Sequence, residues 1–247
     1  MSSRSKRILV ISDIHGNLIA LDQVLKDAGE VDAIWCLGDL IGYGPKPNEC
    51  IERVRNLKHF ICVLGNHDAA VLGRIDLQAF NQDARISLRW AKSILTPDNL
   101  EYLQNLPEKV IIDKATLAHG SPRNPVWEYI LDVHTAMDNF IAFDTPVCMV
   151  GHTHMPIAYY QIVETRDVGW EIPRVSKVFR FKRKTIINPG SVGQPRDRDP
   201  RAAYAIYYPR RLAWEQHRVE YDIDAVQEQI RSNDLPFRHA ARLGEGW

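Results

Sequence analysis

The sequence predicts an α/β fold in which a run of parallel strands and helices is joined by a second, more antiparallel sheet on the same core. Three observations lead there. Short apolar runs rich in β-branched residues recur from Ile8 onward, each stopped by glycine or polar residues, as buried strands are. Segments with apolar residues at helical spacing separate these runs. After His154 such spacing becomes scarce, and strand-like segments follow one another.

The first strand covers residues 7–12. Asn17 can cap a helix carrying Leu18, Leu21, Val24, Leu25 and Ala28, with Gly29 as its stop. A second strand at 33–37 leads into the turn-rich loop from Asp39 to Pro45, and a short helix at 47–57 leads to a third strand at 59–64. This β-α-β-α-β order calls for parallel strands with right-handed crossovers. Helical patterns follow at 77–95 and, behind Thr96 as cap and Pro97 in the first turn, at 96–106. Strands at 109–112 and 115–118, a helix at 133–143 and a strand ending at Gly151 complete this part. Beyond it, 157–163, 175–182, 203–208 and 213–219 read as strands, with Phe179-Arg180-Phe181-Lys182 alternating as a half-buried antiparallel strand does. Asp222 can cap a helix at 225–230, and the stretch 233–247 shows no pattern. No linker or repeat divides the chain, so residues 1–247 are expected to form a single domain.

Composition narrows the function. The 247 residues are 45% hydrophobic and 25% charged, as in ordinary soluble proteins. Lys plus Arg equals Asp plus Glu at 31 each, so no global charge argues for nucleic acid or an acidic membrane. No apolar run approaches the roughly 20 residues of a membrane helix, and the polar N-terminus lacks a signal peptide's apolar stretch. Cys36, Cys50, Cys62 and Cys148 show no zinc-knuckle pairing and read as buried, reduced thiols. A cytoplasmic protein is expected.

The strand ends carry the chemistry. Ile8–Ile11 runs into Asp13 and His15, the second strand into Gly38-Asp39, and the third into Gly65-Asn66-His67-Asp68. Thr116-Leu117-Ala118 runs into His119-Gly120, and Val147-Cys148-Met149-Val150 into Gly151-His152-Thr153-His154. In open α/β sheets the carboxyl ends of parallel strands gather along one edge, where ligands bind. Asp13, His15, Asp39, Asn66, His119, His152 and His154 offer two carboxylates, one amide oxygen and four imidazoles. That mixture suits manganese, iron, zinc, cobalt or nickel, with manganese foremost, and does not suit calcium. Seven ligands are too many for one ion with an open position. They suffice for two ions bridged by a carboxylate, for which Asp39 is placed, and such a pair can activate water for in-line attack on phosphorus. His67 is left over as general acid or charge stabiliser. A lone loop histidine is ordinarily solvated or structural, which fits His59, His134, His217 and His239. Five of nine histidines following apolar strands do not fit that reading. Asp68 reads equally as a helix cap or a support for a ligand.

These five blocks, Asp13-x-His15-Gly16, Gly38-Asp39, Gly65-Asn66-His67-Asp68, His119-Gly120 and Gly151-His152-Thr153-His154, resemble in order and spacing those of the calcineurin-like metallophosphoesterase superfamily. The resemblance spans residues 8–154. It implies a two-sheet β-sandwich core flanked by helices and a two-metal phosphoester hydrolase. It implies a first metal on Asp13, His15, Asp39 and His154 and a second on Asp39, Asn66, His119 and His152. His67 matches the family's catalytic histidine, and Asn66 would also help fix the phosphate. The protein Ser/Thr phosphatase branch reads Gly-Asp-x-x-Asp-Arg-Gly where this chain has Gly38-Asp39-Leu40-Ile41-Gly42-Tyr43-Gly44, so its supporting Asp and phosphate-binding Arg are missing. That segment, and the run from Asn188 to Asp197, are more similar to small bacterial and archaeal phosphodiesterase-like members.

Asn188 to Gln194 is otherwise a Gly/Pro-rich turn between strands. On the functional reading it lies near the metals, and Arg196 or Arg198 reaches substrate phosphate. Residues 174–218 hold twelve Lys or Arg against three acids. This is ordinarily a solvated face, and otherwise a basic rim for an anionic substrate such as a nucleotide or nucleic-acid end. The expectation is a metal-dependent phosphoesterase that favours phosphodiesters. A phosphomonoesterase or protein phosphatase on the same site, or an interaction scaffold without catalysis, are the alternatives.

Overall fold

The run Ile8-Leu9-Val10-Ile11 forms strand β1 (Ile8–Ile11) with all four side chains buried. Side chains alternate across a strand. Ile8 and Val10 therefore enter the layer between two sheets, while Leu9 and Ile11 pack beneath helices. Burial of each is worth about 1.5–3 kcal/mol over exposure. This is a computed structural model that describes residues 6–165 and 167–247, so most of the polar N-terminal stretch lies outside the described residues.

Along the chain β1 is followed by α1 (Leu18–Ala28), β2 (Ala33–Cys36), α2 (Pro47–Arg55), β3 (Phe60–Cys62) and α3 (Asn66–Val71). A single 3-10 turn precedes α4 (Gln82–Ile94), then come α5 (Pro97–Gln104), β4 (Lys109–Ile112), β5 (Ala115–Ala118), α6 (Val133–Asn139) and β6 (Val147–Met149). The remainder comprises β7 (Pro156–Ile162), β8 (Asp167–Glu171), β9 (Val178–Arg180), β10 (Thr185–Pro189), β11 (Ala202–Tyr208), β12 (Ala213–Val219), α7 (Ile223–Ser232) and α8 (Phe237–Glu245). Asn17 caps α1 by accepting the Ala20 N–H at 3.1 Å, Thr96 caps α5 and Asp222 caps α7.

The strands form two six-stranded sheets, in the orders β3-β2-β1-β11-β12-β9 and β4-β5-β6-β10-β7-β8. β1, β2 and β3 are parallel, as are β5, β6 and β10. The C-terminal half of the chain does not build a separate antiparallel sheet: β9, β11 and β12 extend the first sheet, and β7, β8 and β10 extend the second. Trp35, Leu117, Met149, Ile187, Tyr207 and Trp214 fill the layer between the sheets. Helices cover both outer faces, with α1, α2, α4 and α5 over the first sheet and α6 over the second. The four cysteines are buried and free. No helix among the described residues is long and apolar enough to cross a membrane.

Candidate metal centre

The parallel strands of both sheets end at one edge, and their following loops are bonded together there. Asp13 N–H donates to the Gly38 carbonyl at 3.0 Å, His15 N–H to the Asp39 carbonyl at 2.9 Å, and Gly151 N–H to the His119 carbonyl at 2.8 Å. Turning the loops toward one point strains the backbone in three of them. Asp13, His15, Asp39, His152 and His154 all have left-handed φ, between 49° and 66°, a conformation that costs non-glycine residues about 1–3 kcal/mol each and clusters at functional sites.

Four imidazoles converge with fixed tautomers. His15 Nδ1 donates to the Ile41 carbonyl at 3.0 Å and His154 Nδ1 to the Gln194 carbonyl at 2.6 Å. A carbonyl can only accept, so the neutral rings turn bare Nε2 atoms inward, where they stand 3.2 Å apart. Asp13 Oδ1 is 3.3 Å from His154 Nε2, buried and without a donor. On the other side His119 Nδ1 donates to the Leu37 carbonyl at 2.8 Å and His152 Nε2 to the Trp127 carbonyl at 3.1 Å. Their inward nitrogens are 3.1 Å apart, and Asn66 Oδ1 lies 2.9 Å from His119 Nε2. Asp39 Oδ2 stands between the halves, 3.6 Å from His15 Nε2 and 3.4 Å from His119 Nε2, also buried without a donor. Acceptors gathered without donors suit cations, and outward N–H groups held by carbonyls are the usual support of histidine ligands. Among the described residues Asp13, His15 and His154 form one group able to hold a metal ion, and Asp39, His119 and His152 another. The donor set therefore fits metal ions.

The electrostatics agree. Burial lowers the pKa of His15, His152 and His154, keeping them neutral as ligands must be. Burial pushes the Asp13 carboxyl up to about 6. Burial would lower His119 as well, but Asp39 beside it outweighs that and raises it to about 9, so positive charge is favoured at this point of the site.

The chain matches the calcineurin-like phosphoesterase superfamily domain over residues 7–210. The chain belongs to that superfamily. It is 38% identical to an uncharacterized protein of Methanocaldococcus jannaschii, over 96% of each chain. It is similar to the crystal structure of a metallophosphoesterase from Sphaerobacter thermophilus, with 48% identity, a TM-score of 0.90, and 99% of this chain and 100% of that one covered. It is also 30% identical to a symmetrical bis(5'-nucleosyl)-tetraphosphatase of Salmonella paratyphi C, over 48% of this chain and 44% of that protein. The two sheets flanked by helices are the metallophosphoesterase fold, and family membership makes the chain a phosphoester hydrolase of a metal-dependent kind.

In this phosphoesterase Asp13, His15, Asp39, Asn66, His119, His152 and His154 lie together and buried. His67 joins them, its ring 4.8 Å from that of His15, with a buried Nδ1 that has no partner. Gly42 leaves room for it: a Cβ there would stand 2.3 Å from His67 Nδ1. Asp68 is a brace, accepting the backbone N–H groups of Asp39 at 2.9 Å, Leu40 at 3.0 Å and Gly65 at 3.1 Å. Arg196 lies over the Tyr43 ring at 5.5 Å, and that ring touches His15 and His67 with centroids 4.6 and 4.4 Å away. Arg198 points elsewhere, exposed and over Trp247 at 5.7 Å.

The run from Asn188 to Gln194 is no exposed turn. Asn188 and Pro189 end β10, and all seven residues are buried. Ser191 Oγ and Gly193 N–H both donate to the Asp13 carbonyl at 2.9 Å, and Asn188 Nδ2 donates to the Gly151 carbonyl at 2.6 Å. The expected basic rim also divides. Arg180, Lys182 and Arg183 line a groove with Thr185, at the start of β10, whereas the strand's other end reaches the ligand loops.

Sequence reasoning passed over Tyr43 and Tyr129, whose ring stacks on His152 at 3.6 Å. It also missed α8. An aromatic residue between Gly42 and Gly44 was a signal for Tyr43. For α8 the signal was the spacing of His239, Ala240 and Leu243, its buried face.

Proposed function

We propose that this phosphoesterase hydrolyses phosphodiesters with two metal ions. The observation that carries the reading is Asp39 Oδ2, buried, without a donor, and within 3.6 Å of inward nitrogens from both ligand groups. Asp13, His15, Asp39 and His154 would hold one ion, and Asp39, Asn66, His119 and His152 the other. Bound there, such ions polarise phosphoryl oxygens and lower the pKa of water enough to supply a nucleophile at neutral pH.

The chain's own residues position the rest. Asn66 turns Oδ1 toward His119, which leaves its Nδ2 to donate to a phosphoryl oxygen. His67 is the acid for the leaving group. Its pKa is depressed to about 4 by burial, and an anionic phosphate beside it would favour the protonated form. Arg196, over Tyr43, adds positive charge near the bound phosphate. Support for a diester comes from Tyr43, an uncharged ring against His15 and His67. A diester needs one negative charge met there, where a monoester dianion needs two.

The test is to strip the protein with chelator and restore manganese, iron, zinc, nickel or cobalt separately. Hydrolysis of a chromogenic phosphodiester is then timed beside the matching monoester. Metal-restored diester cleavage should dominate. A dominant monoester rate would overturn the substrate class, and metal binding without any turnover would leave an interaction scaffold. Its likeness to the bis(5'-nucleosyl)-tetraphosphatase makes dinucleoside tetraphosphate the first natural compound to try.

A further inference from the structure

The C-terminal helix brings two arginines to the rim of the candidate metal centre. A cleft of about 360 Å³ is lined by Thr153, Met155, Arg196, Arg238, Arg242 and Trp247. Thr153 lies between the ligands His152 and His154, so the cleft opens beside the metal-ligand loop. Three arginines line it, and none of them makes an ion pair with a carboxylate among the described residues. The acids nearest Arg196 in sequence are already engaged: Asp197 pairs with Arg218 and Asp199 with Arg201. Arg196 spends one nitrogen on Gln194 at 3.0 Å, while its Nε and that of Arg242 are buried without a partner. Like charges gathered in a half-covered cleft repel, and buried unpaired donors cost free energy. An anion removes both penalties at once.

We propose that Arg196, Arg238 and Arg242 form a subsite for a second phosphate, so that the substrate is an oligophosphate rather than an isolated diester. The inference rests on the phosphoesterase reading above and names the substrate class for that site. A planar guanidinium binds phosphate through paired N–H donors, and three of them in this volume match a short chain of linked phosphates. A nucleic-acid backbone would call for a longer basic track. The Arg180, Lys182 and Arg183 groove belongs to the opposite end of β10 and does not extend this one.

The experiment uses Arg238→Gln and Arg242→Gln in the full chain. Arg238 is exposed, so its replacement leaves the core untouched and keeps the test interpretable should Arg242→Gln fail to fold. In chelator-stripped protein, calorimetry compares inorganic tripolyphosphate with orthophosphate; stripping matters because tripolyphosphate itself binds metal. Wild type should bind tripolyphosphate at least tenfold more tightly, and each variant should weaken that binding by about 10- to 100-fold. In metal-loaded protein, the KM for dinucleoside tetraphosphate should rise by a similar factor, well beyond any rise for bis(p-nitrophenyl) phosphate. Equal binding of the two anions by wild type, unchanged tripolyphosphate binding in the variants, or equal KM rises on both substrates would overturn the subsite. So would a single-stranded oligonucleotide that outcompetes tripolyphosphate. Absence of turnover on every phosphoester would instead overturn the hydrolytic reading, and the binding measurement is independent of it.

Discussion

The backbone N–H of His67 donates to Asp39 Oδ1 at 2.9 Å, while the other oxygen of the same carboxylate faces the converging imidazoles. One side chain thus sets the start of α3, where His67 sits, and supplies the oxygen shared by both ligand groups. The two functions are separable. Asp39→Asn retains an oxygen able to accept from His67 but loses the charge. Metal content measured by elemental analysis should fall, and turnover should drop by about 10²-fold or more, as loss of several kcal/mol of charge stabilisation implies. The melting midpoint of chelator-stripped protein should fall modestly, because the neighbouring His119 loses the carboxylate that raises its pKa while the His67 N–H keeps an acceptor. A large fall in that midpoint would mean that Asp39 is chiefly structural.

His67→Ala should retain both metals and lose rate. Proton transfer of the kind assigned to it contributes about 10²–10⁴-fold, and the loss should be greatest where the leaving group is a poor one. A comparison of p-nitrophenyl and alkyl diesters checks this. An equal loss on both would point to charge stabilisation in place of proton donation, and no loss would remove His67 from the mechanism.

Much of the candidate site was legible because each candidate ligand follows an apolar strand, and strands with buried faces fix where their ends fall. Asp13 after Ile8–Ile11 and His119 after Ala115–Ala118 are such cases. The sheet arrangement was less legible. β11 reads as an ordinary antiparallel strand, and nothing local in Ala202–Tyr208 says that it pairs with β1, at the far end of the sequence. Thr185–Pro189 was hidden as a strand because its last residues, Asn188 and Pro189, carry turn chemistry. The left-handed backbone at Asp13, His15 and Asp39 is likewise invisible locally, since tertiary bonds between loops hold it in place.

The pH dependence of stability should carry the signature of His239. Its ring packs on Tyr43 at 4.9 Å and its Nε2 meets the Asp83 carbonyl at 3.2 Å. Burial pushes its pKa down to about 4. The folded protein therefore holds this ring neutral, whereas the unfolded chain takes up a proton below its ordinary value of 6.5. Stability from this group is fully present above pH 6.5 and is lost as pH falls from there toward 4, by up to about 3 kcal/mol. His239→Gln should flatten the melting midpoint against pH in that window. An unchanged slope would assign the acid sensitivity to other groups.

Asn188 offers the sharpest separation between ligands and their support. It touches none of the converging nitrogens, yet Nδ2 donates to the Gly151 carbonyl at 2.6 Å and Thr153 Oγ1 at 3.0 Å, and Oδ1 accepts the Gly190 N–H at 2.7 Å. These bonds hold the left-handed turn that presents His152 and His154. Asn188→Ala leaves buried partners unsatisfied and should cost about 1–3 kcal/mol of stability. It should also weaken metal affinity by about 10–100-fold, as loss of a group that orients ligands does. Asn188→Asp keeps the Oδ1 acceptor but turns the donor toward both oxygens into a repelling carboxylate, so it should do no better than alanine. Metal titration and melting on the two variants decide the matter: a stability loss with unchanged metal affinity would make Asn188 a support for β10 alone.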